Sequence, residues 1–260
     1  SIEKLKKLSK KNKKLIYLES PGTATFEIQN IPEISKLAKK NNIVTIVDNT
    51  WASFYYCNPF NLGADIVIEA ATKYINGHAD VLLGIIASKK KYSKLIRNTA
   101  KSYGICCGSD ELYLSLRGLR TLPVRIEKSQ NNALEMARYL EKNKLVSKVF
   151  HPALNKHPTH NIWKRDFSGS SGLFSFELNK KYSNKQMERF YNKLKIFELG
   201  YSWGGYESLI TFPTIKERRY NNEHKGTIIR IHCGLEDIKD LKADIDKAFK
   251  VLNNNEKYKI

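Results

Sequence analysis

Three apolar runs, at residues 43–47, 66–68 and 81–87, constrain the fold of this chain more than any other feature. A strand with one face in solvent alternates apolar and polar residues, whereas a strand covered on both faces is apolar almost throughout. Strands of the second kind belong to a mostly parallel sheet that lies between helices. We therefore predict an α/β fold with such a sheet.

Helical periodicity accompanies these runs. Residues 31–40 place apolar side chains at helical spacing, and the pair Asn41 and Asn42 ends the pattern. We predict two tightly packed domains, a large one at residues 1–130 and a smaller α/β one at 131–260. Further helices are predicted at 92–103, 110–116, 131–142, 186–194 and 241–252, and further strands at 15–18, 146–150, 173–178, 209–212 and 227–233.

Composition predicts a globular protein of the cytoplasm. Hydrophobic residues make up 41% of the 260 residues, and no apolar run approaches the roughly 20 residues that cross a bilayer. No signal-like apolar segment opens the chain. The cysteines are too few and too irregularly spaced for a disulfide framework, so a reducing compartment fits. They are Cys57, Cys106, Cys107 and Cys233.

The formal charge of +19 has two interpretations. An excess of Lys and Arg attracts nucleic acids or anionic membranes, but it also arises when lysines are spread over solvated helix faces. The dense block at residues 4–14 contains Leu5 and Leu8 at helical spacing, which predicts an amphipathic helix. No nucleic-acid-binding motif accompanies the charge. We predict neither nucleic acid nor membrane as a partner.

Asp48 and Lys73 are the main candidates for chemistry. Asp48 ends the first apolar run. Lys73 lies twenty-five positions after Asp48, beyond the second run. A pyridoxal-phosphate (PLP) site requires this pair, because the lysine amine forms a Schiff base with the cofactor and the carboxylate keeps the pyridine nitrogen protonated. Thr72 has a hydroxyl that can reach the phosphate. The alternatives are an aspartate that caps a turn and a β-branched strand residue.

Arg230 is the candidate for binding the α-carboxylate of a substrate. Both of its neighbours, Ile229 and Ile231, are apolar, so its side chain is expected on the opposite face of the strand, toward a cleft. A guanidinium binds a carboxylate through two parallel hydrogen bonds. The alternative is a surface arginine on an edge strand. His157 and His160 are not accompanied by a carboxylate or cysteine at ligand spacing, so no metal site is predicted.

Several motifs in register resemble the cysteine/methionine-metabolism family of PLP enzymes, which have the type I aminotransferase fold. The resemblance begins with Val-Asp-Asn-Thr-Trp-Ala at 47–52, Ala-Thr-Lys-Tyr at 71–74 and Gly-His-Ala-Asp at 77–80. It narrows to the bacterial cystathionine β-lyases of that family through residues 163–176, 201–208 and 230–237.

The resemblance implies a β-elimination in methionine biosynthesis. Lys73 would remove the Cα proton of cystathionine, and homocysteine, pyruvate and ammonia would be released. The resemblance also places Ser202 and Trp203 near the substrate carboxylate, beside Arg230. A small amino acid is the expected substrate, and the family forms tetramers, so a homo-oligomer is expected.

The resemblance begins near Leu15, and the family carries a substantial segment before that point. By resemblance, that segment holds the glycine loop that binds the phosphate and a tyrosine that stacks on the cofactor ring. By resemblance we therefore expect an N-terminally truncated chain. It is a domain fragment, one half of a split enzyme that needs a separate N-terminal half, or an inactive remnant.

Overall fold

The computed structural model describes residues 15–213 and 224–253. The helix predicted at 4–14 lies outside the described residues. The described chain contains a four-stranded sheet with the order β1-β2-β3-β4 and a five-stranded sheet with the order β5-β6-β9-β8-β7. Its described residues divide into two compact units: one comprises residues 15–23, 27–123 and 158–170, and the other comprises 24–26, 124–157, 171–213 and 224–253.

The first sheet is mostly parallel. β1 pairs with β2 and β2 pairs with β3 in parallel, and β4 runs antiparallel to β3. The helix α1 covers one face, where Ile31 and Ile34 pack with Val47 and Val67 in a small core. The elements of this unit are β1 (Leu15–Glu19), α1 (Ile31–Lys40), β2 (Val44–Asp48), α2 (Ser53–Tyr56), β3 (Ile66–Ala70), β4 (Gly84–Ser88), α3 (Lys90–Ser102) and α4 (Ser109–Leu119).

The helix α1 has the bounds that its sequence predicts. Pro32 lies in the first turn, where its missing N–H has no partner to lose, and Glu33 faces the positive end of the helix dipole. Lys39 and Lys40 occupy the last turn, where positive charge is favoured. Asn42 follows with a φ of +53°, a conformation that asparagine tolerates and that ends the helix.

The prediction for residues 81–87 was wrong about where the strand begins, about its direction and about its burial. The strand begins at Gly84 rather than at residue 81, and it pairs antiparallel with β3. Its apolar side chains are not covered on both faces, since Ile85 and Ile86 are 40% and 55% exposed. An apolar run reports the hydrophobicity of a strand but not which part of the chain covers it.

The second sheet packs on an apolar core that is buried from solvent. All its pairings are antiparallel except the short one between β7 and β8. Every residue of β6 is buried, and Phe174 and Phe176 of that strand join Phe190 and Phe249 in one large apolar cluster. The strands are β5 (Val146–Phe150), β6 (Leu173–Leu178), β7 (Glu198–Leu199), β8 (Leu209–Thr211) and β9 (Ile228–His232).

The remaining helices are α5 (Leu122–Leu140), α6 (His160–Asp166), α7 (Asn184–Tyr191) and α8 (Ile238–Asn253). The predicted start of α5 at residue 131 was wrong, because the helix begins nine residues earlier, with Pro123 in its first turn. α5 therefore runs through positions 130 and 131, and the division into domains there stays a prediction. Within the described ranges, no helix combines the length and the apolarity that a membrane crossing needs.

Candidate active site

The carboxylate of Asp48 lies at the end of β2 and is held by three hydrogen bonds. The backbone N–H and the hydroxyl of Thr50 both donate to Oδ1, over 3.0 and 2.6 Å. The Tyr17 hydroxyl of β1 donates to Oδ2 over 3.3 Å. Partial burial, the Asp48 charge and this hydrogen bond raise the pKa of Tyr17, so the phenol remains a donor. The carboxylate is thus oriented by a residue of β1 and by a residue of the turn that follows β2.

Thr50 also connects Asp48 with the segment that carries Lys73. Its Oγ1 accepts a hydrogen bond from the Ala70 N–H over 2.9 Å, at the last residue of β3. The Ala70 carbonyl in turn accepts from the Lys73 N–H over 3.0 Å. β2 and β3 are parallel neighbours with Asp48 opposite Ile68, so the carboxylate and the lysine segment lie at the same edge of the sheet.

Lys73 lies in a tight loop that follows β3. Its carbonyl accepts from the Gly77 N–H over 2.7 Å, and the Asn76 N–H donates to the Ala71 carbonyl over 2.8 Å. The loop packs closely on α4 at Gly118, where a Cβ would collide with the carbonyl oxygens of Ile75 and Asn76. Lys73 itself is half-buried. The backbone that positions the lysine is therefore fixed by its own hydrogen bonds and by a glycine on a neighbouring helix.

The Thr72 hydroxyl forms hydrogen bonds with backbone groups. Its Oγ1 accepts from the Leu83 N–H over 3.0 Å and lies 3.3 Å from the Leu83 carbonyl oxygen. These contacts join the lysine loop to the chain that enters β4. The structure therefore gives this side chain a local partner, and its role as a phosphate ligand stays a prediction.

A buried carboxyl group, Glu69, lies near Asp48 on β3. The Asn49 side chain donates to Glu69 Oε1 over 2.9 Å and to the Cys57 carbonyl over 3.0 Å. Burial raises the pKa of Glu69 to about 7; the hydrogen bond from Asn49 opposes this shift, and the Asp48 charge adds to it. Glu69 therefore changes its protonation state near neutral pH.

Arg230 lies on β9 between two fully buried isoleucines, in agreement with the predicted alternation, and is itself half-buried. Its Nη2 donates to the Tyr201 carbonyl over 2.6 Å. Burial lowers the pKa of the guanidinium below its usual range, with an opposing effect of Tyr201. Ser202 and Trp203 follow Tyr201 in the chain and belong, like Arg230, to the second unit.

The next residues of this loop contact the neighbouring part of β9. The Gly204 N–H lies 3.1 Å from His232 Nε2, and the Gly205 carbonyl lies 3.2 Å from the same nitrogen. Gly204 has a φ of +83°, which a side chain would disfavour. Ser202 is exposed, and Trp203 is half-buried. The loop is thus held on the strand at Arg230 and at His232.

His157 and His160, for which no metal site is predicted, contact a backbone carbonyl and an aromatic ring. His157 Nε2 lies 3.1 Å from the Thr25 carbonyl oxygen, and the ring of His160 lies 5.4 Å from that of Trp163. In the described ranges, no group of three or more potential ligands of the His, Cys, Asp and Glu types is present.

Sequence reasoning missed two residues around Asp48. Thr50 had a detectable signal, because an aspartate side chain commonly accepts a hydrogen bond from the backbone two residues later. Tyr17 had no such signal, since its contact depends on the register that places Glu19 opposite Asp48. That register becomes known only from the folded sheet.

The sequence profile of the Cys/Met metabolism PLP-dependent enzymes matches residues 1–250 of the chain. The chain belongs to this family. The cystathionine β-lyase MetC of Escherichia coli is 40% identical over 245 residues, which are 92% of this chain and 62% of the relative. An L-alanine/L-glutamate racemase of Wolbachia pipientis is 42% identical over 245 residues, which are 93% of this chain and 60% of the relative.

Solved structures of the Cys/Met metabolism family share the fold. A crystal structure of cystathionine γ-synthase from Xanthomonas oryzae pv. oryzae in complex with cystathionine matches this chain with a TM-score of 0.91 and 30% sequence identity. The match covers 97% of this chain and 67% of the γ-synthase chain. The predicted family and α/β fold are confirmed, and PLP is the cofactor of that family. The chain spans 60% to 62% of the length of the two curated relatives.

The residues at the edge of the first sheet fit the family's cofactor. PLP requires a carboxylate for its pyridine nitrogen and an amine for its aldehyde. The Asp48 carboxylate is oriented by three donors, and it is joined through Thr50 and Ala70 to the backbone of Lys73. Both groups that the cofactor requires are therefore carried by one hydrogen-bonded part of this unit.

Proposed function

We propose that this chain carries the catalytic residues of a carbon–sulfur β-lyase, which cleaves cystathionine to homocysteine, pyruvate and ammonia in methionine biosynthesis. The observation that carries the proposal is the hydrogen-bonded path from Asp48 through Thr50 and Ala70 to Lys73. The 40% identity to the β-lyase of Escherichia coli supports the choice of reaction.

Each proposed site residue has one task. Bound PLP supplies an aldehyde that bonds to amines and a ring that accepts electron density from the substrate. The Asp48 carboxylate holds a proton on the pyridine nitrogen. Lys73 Nζ takes the proton from the substrate Cα and delivers a proton to the departing sulfur. Thr72 is the proposed phosphate ligand.

Three further residues would hold the substrate carboxylate. Arg230 can donate two parallel hydrogen bonds to it, which fixes the Cα–H bond for proton transfer. One of its five N–H groups donates to Tyr201, so the guanidinium is already anchored before a substrate binds. Ser202 and Trp203, on the loop that Arg230 anchors, are proposed as the other contacts.

A racemase is the second candidate, because the Wolbachia relative that is 42% identical bears that name. Racemisation and β-elimination both begin with removal of the Cα proton, so the same lysine amine would serve both reactions. The substrates differ at the β-carbon, since only cystathionine offers a thiolate that can leave. Pyruvate release from cystathionine and D-alanine formation from L-alanine therefore separate the two functions.

We also propose that the chain acts together with further polypeptide, either a separate N-terminal half or the preceding part of a longer protein. Its curated relatives are longer, and by resemblance their additional segment binds the phosphate. A homo-oligomer and a cytoplasmic location complete the proposal. The alternative is a chain that keeps the fold and is inactive.

The test compares the chain alone with the chain supplemented by the leading segment of the Escherichia coli relative. After incubation with PLP and reduction with borohydride, we expect the cofactor mass on the peptide that contains Lys73. Lys73→Ala should abolish this mass and pyruvate release from cystathionine, whereas Lys89→Ala should leave both intact because Lys89 pairs with Asp65 elsewhere. Cofactor attached to other lysines, or pyruvate release by Lys73→Ala, would refute the assignment.

A further inference from the structure

We propose that Thr50 is a positioning residue that fixes the orientation of the Asp48 carboxylate and its spacing from the lysine segment. This inference rests on the proposed function, because it gives Asp48 and Lys73 the roles described above. Thr50 is only 8% exposed, and its hydroxyl contacts both the Asp48 carboxylate and the Ala70 N–H, three residues before Lys73.

The direction of both hydrogen bonds follows from their chemistry. A backbone N–H can only donate and an ionised carboxylate can only accept, whereas a hydroxyl has one proton and two lone pairs. The Ala70 N–H must therefore donate to Thr50 Oγ1, and the Thr50 proton must point to Asp48 Oδ1. The hydroxyl has no freedom to reverse, so it specifies one orientation of the carboxylate.

The backbone N–H of Thr50 donates to the same oxygen, so Oδ1 of Asp48 accepts two hydrogen bonds from one residue. Among the described residues, Oδ2 has only the longer contact with Tyr17, over 3.3 Å. The two oxygens are thus not equivalent: Oδ1 anchors the group, and Oδ2 is the more weakly held oxygen. Loss of the Thr50 hydroxyl would let the carboxylate rotate and would leave the Ala70 N–H without its acceptor.

Thr45, on β2, provides a matched control. Its hydroxyl also accepts from a backbone N–H, that of Asp65, over 3.2 Å, and lies 3.3 Å from the Asp65 carboxylate. It is buried like Thr50 but contacts neither Asp48 nor the lysine segment. Thr45→Val therefore removes an equivalent pair of hydrogen bonds at a distance from the proposed site.

The first measurement needs no cofactor. We expect Thr50→Val to accelerate amide hydrogen exchange at Ala70, whereas Thr45→Val should accelerate it at Asp65 and leave Ala70 protected. The second measurement is the PLP dissociation constant. Thr50→Val should raise it roughly tenfold to a hundredfold, the range for losing one hydrogen bond to a charged group. Thr50→Ser, which keeps the hydroxyl, should restore both readouts, and Thr45→Val should leave the dissociation constant near that of the unchanged chain.

The outcomes separate this inference from the proposed function. Equal weakening of PLP binding by both valine variants, or no weakening by Thr50→Val, would overturn the positioning role. Unchanged exchange at Ala70 in Thr50→Val would overturn it as well. A supplemented wild-type chain that binds no PLP would instead refute the proposed function, and the Ala70 exchange would then show whether the hydroxyl still orders this backbone.

Discussion

The two sheets of the molecule differ in how completely this chain covers them. Every residue of β6 in the second sheet is buried, and its phenylalanines lie in a continuous apolar cluster. In the first sheet, β4 is exposed along most of its length, and the helix α3 that follows it has no buried residue. The second unit forms its own core from this chain, whereas much of the apolar surface of the first unit is exposed.

The residues around Asp48 belong to the first unit, where apolar surface is exposed. The network around Asp48 is local, with partners on β1, on β3 and in the turn after β2, and it forms without any contribution from β4 or α3. The first unit therefore combines an ordered sheet edge with uncovered apolar surface. Because the exposed apolar surface lies on the first unit, we expect the proposed N-terminal polypeptide to affect the first unit more than the second.

The largest expected effect lies in the apolar core of the second unit. Phe176→Ala should lower the free energy of unfolding of the second unit by roughly 3–5 kcal/mol, because it removes a fully buried aromatic ring and leaves a cavity. Urea denaturation with hydrogen exchange at β6 and β9 amides would localise the loss. Phe54→Ala, at a ring that is 54% exposed, is the control and should change stability little. Similar losses in both variants would contradict the difference between the units.

An intermediate effect is expected from the buried carboxyl group of the first unit. The pKa of Glu69 rises from 4.5 to about 7 on folding, so the folded chain binds an extra proton between these values. Stability should therefore fall as pH rises through this interval, by up to about 1.4 kcal/mol per pH unit. Denaturation monitored by Trp51 fluorescence across the interval would measure the slope.

Glu69→Gln should flatten that pH dependence, because the amide oxygen can still accept from Asn49 and no longer titrates. Asp65→Asn is the control, since Asp65 bonds to Thr45 and Lys89 and not to Asn49 or Asp48. An unchanged slope in Glu69→Gln would assign the pH dependence to another group.

The smallest effect is expected on the uncovered strand. Ile86→Thr in β4 should change the free energy of unfolding by less than about 0.5 kcal/mol, because the side chain is exposed and both residues are β-branched. The same change at the fully buried Ile229 of β9 should be strongly destabilising. A large loss from Ile86→Thr would show that β4 is covered in solution, and its dependence on protein concentration would reveal self-association.

The sequence predicted those parts of the fold that depend on local signals. The bounds of α1 were predicted from its apolar periodicity and the asparagine pair after Lys40, and β5 and β6 have their predicted bounds. The exposure and direction of β4 depend on distant chain, so its apolar run was misleading. At the site, Asp48 and Lys73 were predicted from their order along the chain, and their catalytic roles stay predictions. The contact of Tyr17 with Asp48 required the register between β1 and β2.

The close approach at Gly118 has a consequence for how this chain tolerates change. The carbonyl oxygens of Ile75 and Asn76 lie where the Cβ atom of any side chain at position 118 would be placed. The reach of the lysine amine is therefore limited by a position more than forty residues later in the chain, where adding a single methyl group would displace the loop. A mutational scan confined to the lysine and its immediate partners would overlook this constraint.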